Sequence, residues 1–296
     1  KELLRMAKPN DLGSGMFSLP IESWPQVNEQ QEEELRSALN KAAKLQRKEA
    51  LAELNKLEIS HQIRRTWVWN ELGEAPLANA LKLLIEMGTK ATEAFPSGSI
   101  DELKNYYVSN GYIIDQSMRK SLAAVKSEKD KATIKGLLKC LYQPWLELVT
   151  QKFQSLIEKD ATVFTNQLAQ PETESYVLFV DAFRYELAEE FCKRMVALNY
   201  KVALDSSWSA IPSLTPTAKP NASPIATAIS VNSDIAEFRP QLQSGKELQT
   251  AAFREALSAN NFKLVTNSND IDPTISCWQE IGDIDTKGHE EQSDMV

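Results

Sequence analysis

Hydrophobic positions in the first half of the chain recur at helical steps. Between Glu29 and Glu58, Leu35, Leu39, Ala42, Leu45, Leu51, Leu54 and Leu57 follow one another mostly three or four residues apart. Glu, Lys and Arg fill the gaps, as on an amphipathic helix. The phase slips near Ala50, which predicts a long packed helix or a helical hairpin and not an uninterrupted coiled coil. A second helix is predicted from Pro76 through Met87, with proline in its first turn. Ser99 and Glu102 have capping-box spacing, and Gly111 is the expected stop. Asp115 is expected to cap a helix through Val125. Ser127 and Asp130 are expected to open another that carries Leu137, Leu138, Leu141, Trp145, Leu148, Phe153 and Leu156, with Pro144 kinking or breaking it. Trp67, Trp69, Tyr142 and Trp145 interleave with leucines and not with Lys or Arg, so they read as core.

Near Pro171 the pattern changes. Pro171-Glu172-Thr173-Glu174-Ser175 is a polar break, and Tyr176-Val177-Leu178-Phe179-Val180 follows as a continuous apolar run. Such a run suits a parallel strand covered on both faces. Glu186 to Leu198 reads as a helix, Lys201 to Leu204 as a strand, Glu247 to Leu257 as a helix, and Phe262 to Thr266 as a strand. This alternation predicts a parallel α/β sheet. The expected organisation is therefore a mainly helical region over residues 1–170 and an α/β region over residues 171–296. In open parallel sheets the functional crevice lies beyond the carboxyl ends of the strands. Asp181, directly after the first strand, stands at that position.

The 296 residues are 42% hydrophobic and 25% charged, ordinary globular composition. No apolar stretch approaches the roughly 20 residues that span a bilayer, and there is no basic-then-apolar signal segment. Cys140, Cys192 and Cys277 lie far apart. That excludes a disulfide framework and a cysteine zinc site, and it predicts a cytoplasmic protein with no membrane partner. The start at Lys1 and the acidic end predict a fragment of a longer protein. The net charge of −8 is uneven: residues 1–150 carry 21 basic and 20 acidic side chains, and residues 151–296 carry 12 and 21. A net-acidic half does not hold nucleic acid by bulk electrostatics. Clustered carboxylates can, however, collect divalent cations, and a bound cation inverts the sign that a phosphate meets.

Three segments hold residues suited to chemistry. In Val180-Asp181-Ala182-Phe183-Arg184-Tyr185-Glu186 the aspartate is either a helix N-cap or a ligand at a strand end. In Ile211-Pro212-Ser213-Leu214-Thr215-Pro216-Thr217-Ala218-Lys219-Pro220, Thr215 is either a helix cap or a hydroxyl nucleophile, which a metal activates by lowering its pKa. Lys219 adds positive charge for a phosphoryl group. The third runs from Cys277 to His289 and places Asp285 four residues before His289, with Gly288 between them. A carboxylate and an imidazole at that spacing suit zinc or a hard divalent cation. The other histidine, His61, has no acidic partner pattern and reads as surface or core packing.

Taken together, a strand ending in Asp-Ala-x-Arg-Tyr-Glu, then Pro-Ser-x-Thr-Pro, then Trp-x-Glu-x-Gly-x-Ile-Asp-x-x-Gly-His resembles the PglZ domain. That domain belongs to the alkaline phosphatase superfamily and occurs in bacterial BREX phage-defence systems. The resemblance covers roughly residues 171–296. Arg65-Thr66-Trp67-Val68-Trp69 and Tyr142-Gln143-Pro144-Trp145-Leu146 resemble regions that precede the domain. The resemblance implies an alkaline-phosphatase-like α/β fold and a phosphoester hydrolase, acting on nucleic acid or a nucleotide. It implies two divalent ions, zinc or manganese, in the full-length protein. Thr215 matches the nucleophile, with Thr217 as its substitute. Asp181 matches a ligand of the metal that activates the nucleophile, and Asp285 and His289 match the pair that holds the other metal. Superfamily members add a later Asp-His pair and a final His, none of which precedes Val296, so weak metal binding and little turnover are expected of these residues alone. The implied partners are other BREX proteins. A second class of function stays open: a non-catalytic scaffold with a phosphatase-like fold, suggested by the long helical stretch.

Overall fold

The computed structural model describes residues 2, 20–96, 98–159, 175–211, 213–230 and 240–290. The chain forms two compact units, residues 1–156 and 157–295. The polar break at Pro171, where the sequence pattern changes, lies outside the described residues.

The first unit is all-helical among its described residues. Helices α1 (Pro25–Ala42) and α2 (Arg47–His61) form a hairpin. The break falls at residues 43–46 and not near Ala50, in a run of ordinary helix formers. Lys44 N–H and Leu45 N–H donate to carbonyls three residues back, a tightened last turn that ends α1. After the short α3 (Val68–Glu71), α4 (Pro76–Ala91) runs through the core with Leu77, Leu81, Leu84 and Met87 fully buried. Around it pack Leu35 and Leu39 of α1, Leu54 of α2, and Ile134 and Leu137 of a later helix.

Ser99 caps α5 (Ile100–Tyr106), its hydroxyl accepting Glu102 N–H at 3.2 Å. Gly111 does not end the helix. Residues Tyr107–Gly111 form a π-turn, and the chain continues as α6 (Tyr112–Ala123). Asp115 is accordingly no cap. It is buried within α6 and accepts the hydroxyls of Tyr107 at 2.6 Å and Tyr142 at 2.8 Å. Ser127 caps α7 (Glu128–Leu141), and α8 (Gln143–Ile157) carries Pro144 in its first turn, where a proline needs no N–H partner. Trp69 and Trp145 are buried, as their leucine-rich context predicts.

The second unit holds a three-stranded parallel sheet in the order β1-β5-β4, with β1 Tyr176–Val180, β4 Phe262–Leu264 and β5 Ser276–Ile281. Val180 is opposite Ile281 and Leu264 opposite Trp278. The α/β character of this region is therefore observed. A two-stranded ladder, β2 (Ile229–Ser230) with β3 (Gln241–Leu242), lies apart from it. Helices α9 (Tyr185–Ala197), α10 (Thr215–Asn221), α11 (Thr250–Ala259) and α12 (Asp283–Glu290) complete the unit.

Two expectations are corrected here. Residues 201–204 form no strand: among the described residues no strand pairs with them, and Val202 is exposed. β1 is not covered on both faces. Val177 and Phe179 pack on the cluster around Trp278 and Phe253, whereas Tyr176 and Leu178, on the other face, are exposed. The central position belongs to β5, whose Cys277 and Trp278 are buried.

Candidate functional site

β1 and β5 run parallel and finish level, so residues 181 and 282 leave the sheet side by side at its carboxyl edge. The Asp181 N–H extends the ladder by one bond, donating to Ile281 O at 2.8 Å. The next residue, Ala182, takes a left-handed backbone with φ 59°. For a side chain with a Cβ that conformation costs about 1–2 kcal/mol. Asn199 and Asn261 also have positive φ, but each follows a helix, where asparagine is a common terminator. At Ala182 the turn directs the backbone N–H onto Asp181 Oδ1 at 3.0 Å. One carboxylate oxygen is thus held by its own turn.

The other oxygen, Oδ2, accepts the Thr215 hydroxyl at 2.9 Å, across 34 residues of chain. Neither residue serves as a helix cap. The N-cap of α9 is Arg184, three residues past Asp181, and the N-cap of α10 is Leu214, with Thr215 as the first helical residue. Both groups are half-buried and directed at each other at the sheet edge where a crevice is expected. Thr217 is occupied differently: its hydroxyl donates to Leu214 O at 2.9 Å and accepts Leu214 N–H at 3.2 Å. It closes the helix start and is not presented to a ligand.

A second tie lies one turn further along α10. Lys219 Nζ donates to Glu280 Oε2 at 3.1 Å and sits 5.4 Å from the centre of the Phe253 ring. Glu280 Oε1 accepts the indole N–H of Trp278, itself fully buried, at 3.0 Å. Glu280 is the glutamate of the Trp-x-Glu-x-Gly motif, to which the sequence assigns no role, and it shares one side of β5 with Trp278 at a two-residue step. Five residues after Asp181, Glu186 at the start of α9 is fully buried, and Arg184 Nε approaches its Oε1 at 3.4 Å.

Asp285 lies half-buried in the first turn of α12, which begins two residues after β5, and His289 occupies the position one turn later in that helix. Topology therefore brings α12 to the same sheet edge as Asp181. Asp181 and Thr215 are in direct side-chain contact. Among the described residues no group of three or more His, Cys, Asp or Glu side chains is arranged to hold a metal ion. The Asp181 carboxylate and the Thr215 hydroxyl are hard oxygen donors, suitable as part of a divalent-cation donor set. No helix among the described residues is long and apolar enough to cross a membrane. Comparison of the chain with protein-family models, curated proteins and solved structures finds no match.

Proposed function

We propose that this chain is part of a phosphatase-like component of a BREX anti-phage system, a metal-dependent phosphoester hydrolase (phosphodiesterase or phosphatase) acting on nucleic acid or a nucleotide with Thr215 as nucleophile. The observation that carries the reading is the 2.9 Å hydrogen bond from Thr215 Oγ1 to Asp181 Oδ2, made by two residues that have no capping duty. The order of the Asp181, Thr215, Asp285 and His289 segments and their resemblance to the PglZ domain support it.

In this reading Asp181 Oδ2 fixes the direction of the Thr215 hydroxyl by accepting its hydrogen bond, and the proton that Oγ gives up on attack passes on to the leaving oxygen. Thr215 Oγ forms a bond to phosphorus while the bond to the leaving alkoxide breaks and that oxygen takes up a proton. Water then attacks the phosphothreonine, releasing the phosphate ester and returning the hydroxyl. Asp181, Asp285 and His289 are the residues that would hold divalent zinc or manganese, which supplies Lewis-acid stabilisation of the phosphoryl charge.

The test is Thr215→Ala in the full-length protein with an aryl phosphodiester as substrate. Loss of a nucleophile lowers the rate by about a thousandfold or more. A variant that retains the rate within about threefold removes Thr215 from the mechanism.

A further inference from the structure

Lys219 is four residues after Thr215 in α10, a spacing that puts both on one helix face. Its ammonium is drawn in two directions. Glu280 pairs with it, and the Phe253 ring lies beneath it as a cation–π partner. The pair is not deeply buried: the side chains are 23% exposed for Lys219 and 37% for Glu280. A pair so exposed contributes little to stability.

Glu280 does not hang freely. The buried Trp278 indole anchors its other oxygen, so the carboxylate is held, and the ammonium reaches it on a four-carbon stem. Glu280 is opposite Phe179 in the sheet register, two residues before Asp181 on the neighbouring strand. The two ties of α10, Thr215 to Asp181 and Lys219 to Glu280, therefore sit one helical turn apart over the same end of the sheet. Arg184, the other cation close in sequence to Asp181, lies instead against the buried Glu186.

We propose that Lys219 is the phosphoryl-recognising cation of this site, and that Glu280 is its resting partner, displaced when a phosphoryl group arrives at Thr215. The proposal rests on the reading of Thr215 as nucleophile and deepens it. It assigns recognition of the non-bridging oxygens to one side chain and a competing carboxylate to another. Binding then exchanges one ion pair for another: Lys219 leaves Glu280 Oε2 for a phosphoryl oxygen. Glu280 thereby sets the affinity, holding the ammonium near the site and weakening its hold on any anion.

Affinity for inorganic phosphate, measured by titration calorimetry on the full-length protein with manganese present, tests this without turnover. Lys219→Met is expected to weaken phosphate binding about tenfold, and Lys219→Arg to restore most of it. Glu280→Gln keeps the shape and removes the competing charge, so it should tighten phosphate binding about three- to tenfold. A merely structural role gives no tightening. In the Lys219→Met background the Glu280→Gln effect should vanish, as a coupled pair requires. Unchanged phosphate affinity in Lys219→Met, or an equal gain from Glu280→Gln with and without Lys219, overturns the proposal. Thr215→Ala separates the two readings: if it keeps full hydrolysis, the nucleophile assignment fails, whatever the phosphate titrations of the Lys219 and Glu280 variants give. If it is inactive while Lys219→Met binds phosphate normally, the recognition role alone fails.

Discussion

Arg64 is fully buried in the helical unit, and Glu32 is the charge that makes its burial tolerable. Its Nη2 donates to Glu32 Oε1 at 2.7 Å, to Asn28 Oδ1 at 2.8 Å and to Asn28 O at 3.3 Å, while Glu32 Oε2 accepts Leu77 N–H at 3.1 Å. Burial pushes the Glu32 carboxyl above its ordinary value, and Arg64 partly offsets this. Glu32→Ala leaves a guanidinium out of water with only neutral acceptors and strips Leu77 N–H of its partner. Breaking a buried pair by removing one member costs about 3–5 kcal/mol. With a urea m-value of about 2 kcal/mol per molar, the midpoint should fall by about 2 M. Far-UV circular dichroism reports this well, because the first unit's helices dominate the signal. The double variant Glu32→Leu with Arg64→Met, which removes both charges, should return to within about 1 kcal/mol of the parent. A loss below about 1 kcal/mol in Glu32→Ala, or a double variant as unstable as the two single changes summed, would refute the reasoning.

Gly111→Ala should destabilise the first unit by about 1–2 kcal/mol net, because an added Cβ meets Tyr107 Cδ2 at 2.7 Å and that ring is tethered through its hydroxyl to Asp115. A gain in the urea midpoint, as helix propensity alone predicts, would reject the clash. His61 is buried with Nδ1 3.4 Å from Arg64 Nη1; burial first, and the Arg64 charge second, lower its pKa. A base depressed in the folded state binds fewer protons than in the unfolded state. Its contribution is therefore complete above the ordinary value of about 6.5 and is lost as pH falls. Between pH 7 and 5.5 the parent should lose stability that His61→Gln retains, and parallel denaturation curves for the two at both pH values would count against it. Glu32 has the opposite sign: its raised pKa makes stability decline as pH rises through the folded value, so the comparison with His61→Gln isolates the imidazole.

Local signals were readable wherever the residue that carries the signal also does the local work. Ser99 and Ser127 cap helices as their spacing predicts, because a serine hydroxyl meets the N–H three residues on with no help from elsewhere. Gly111 and Asp115 mislead for the opposite reason. Each has a local use, stop and cap, that tertiary partners override: the glycine makes room for the Tyr107 ring, and the aspartate receives two tyrosine hydroxyls. β5 is hard to see because its polar positions, Gln279 and Glu280, interrupt the apolar run that marks β1 so clearly. The meeting of Asp181 with Thr215 follows from the order of motifs and from the rule that parallel sheets gather function at one edge. Spacing along the chain predicts nothing of it. The Lys219–Glu280 tie is half legible: the sequence gives the cation a role and shows its carboxylate only as a motif position without one.

The strand order also bears on how the second unit comes into being. β5 is the last of the three strands along the chain, yet it occupies the middle. Among the described strands β1 and β4 each pair with β5 alone, so the sheet and what is mounted on its edge wait until residue 281 has emerged from the ribosome. The helical unit ahead of it lies wholly upstream of residue 157 and can close before β5 is made. Synthesis thus delivers an early-folding half and a late one, with the Tyr176–Val180 segment exposed and apolar throughout the interval, a window in which holding chaperones have the most to protect.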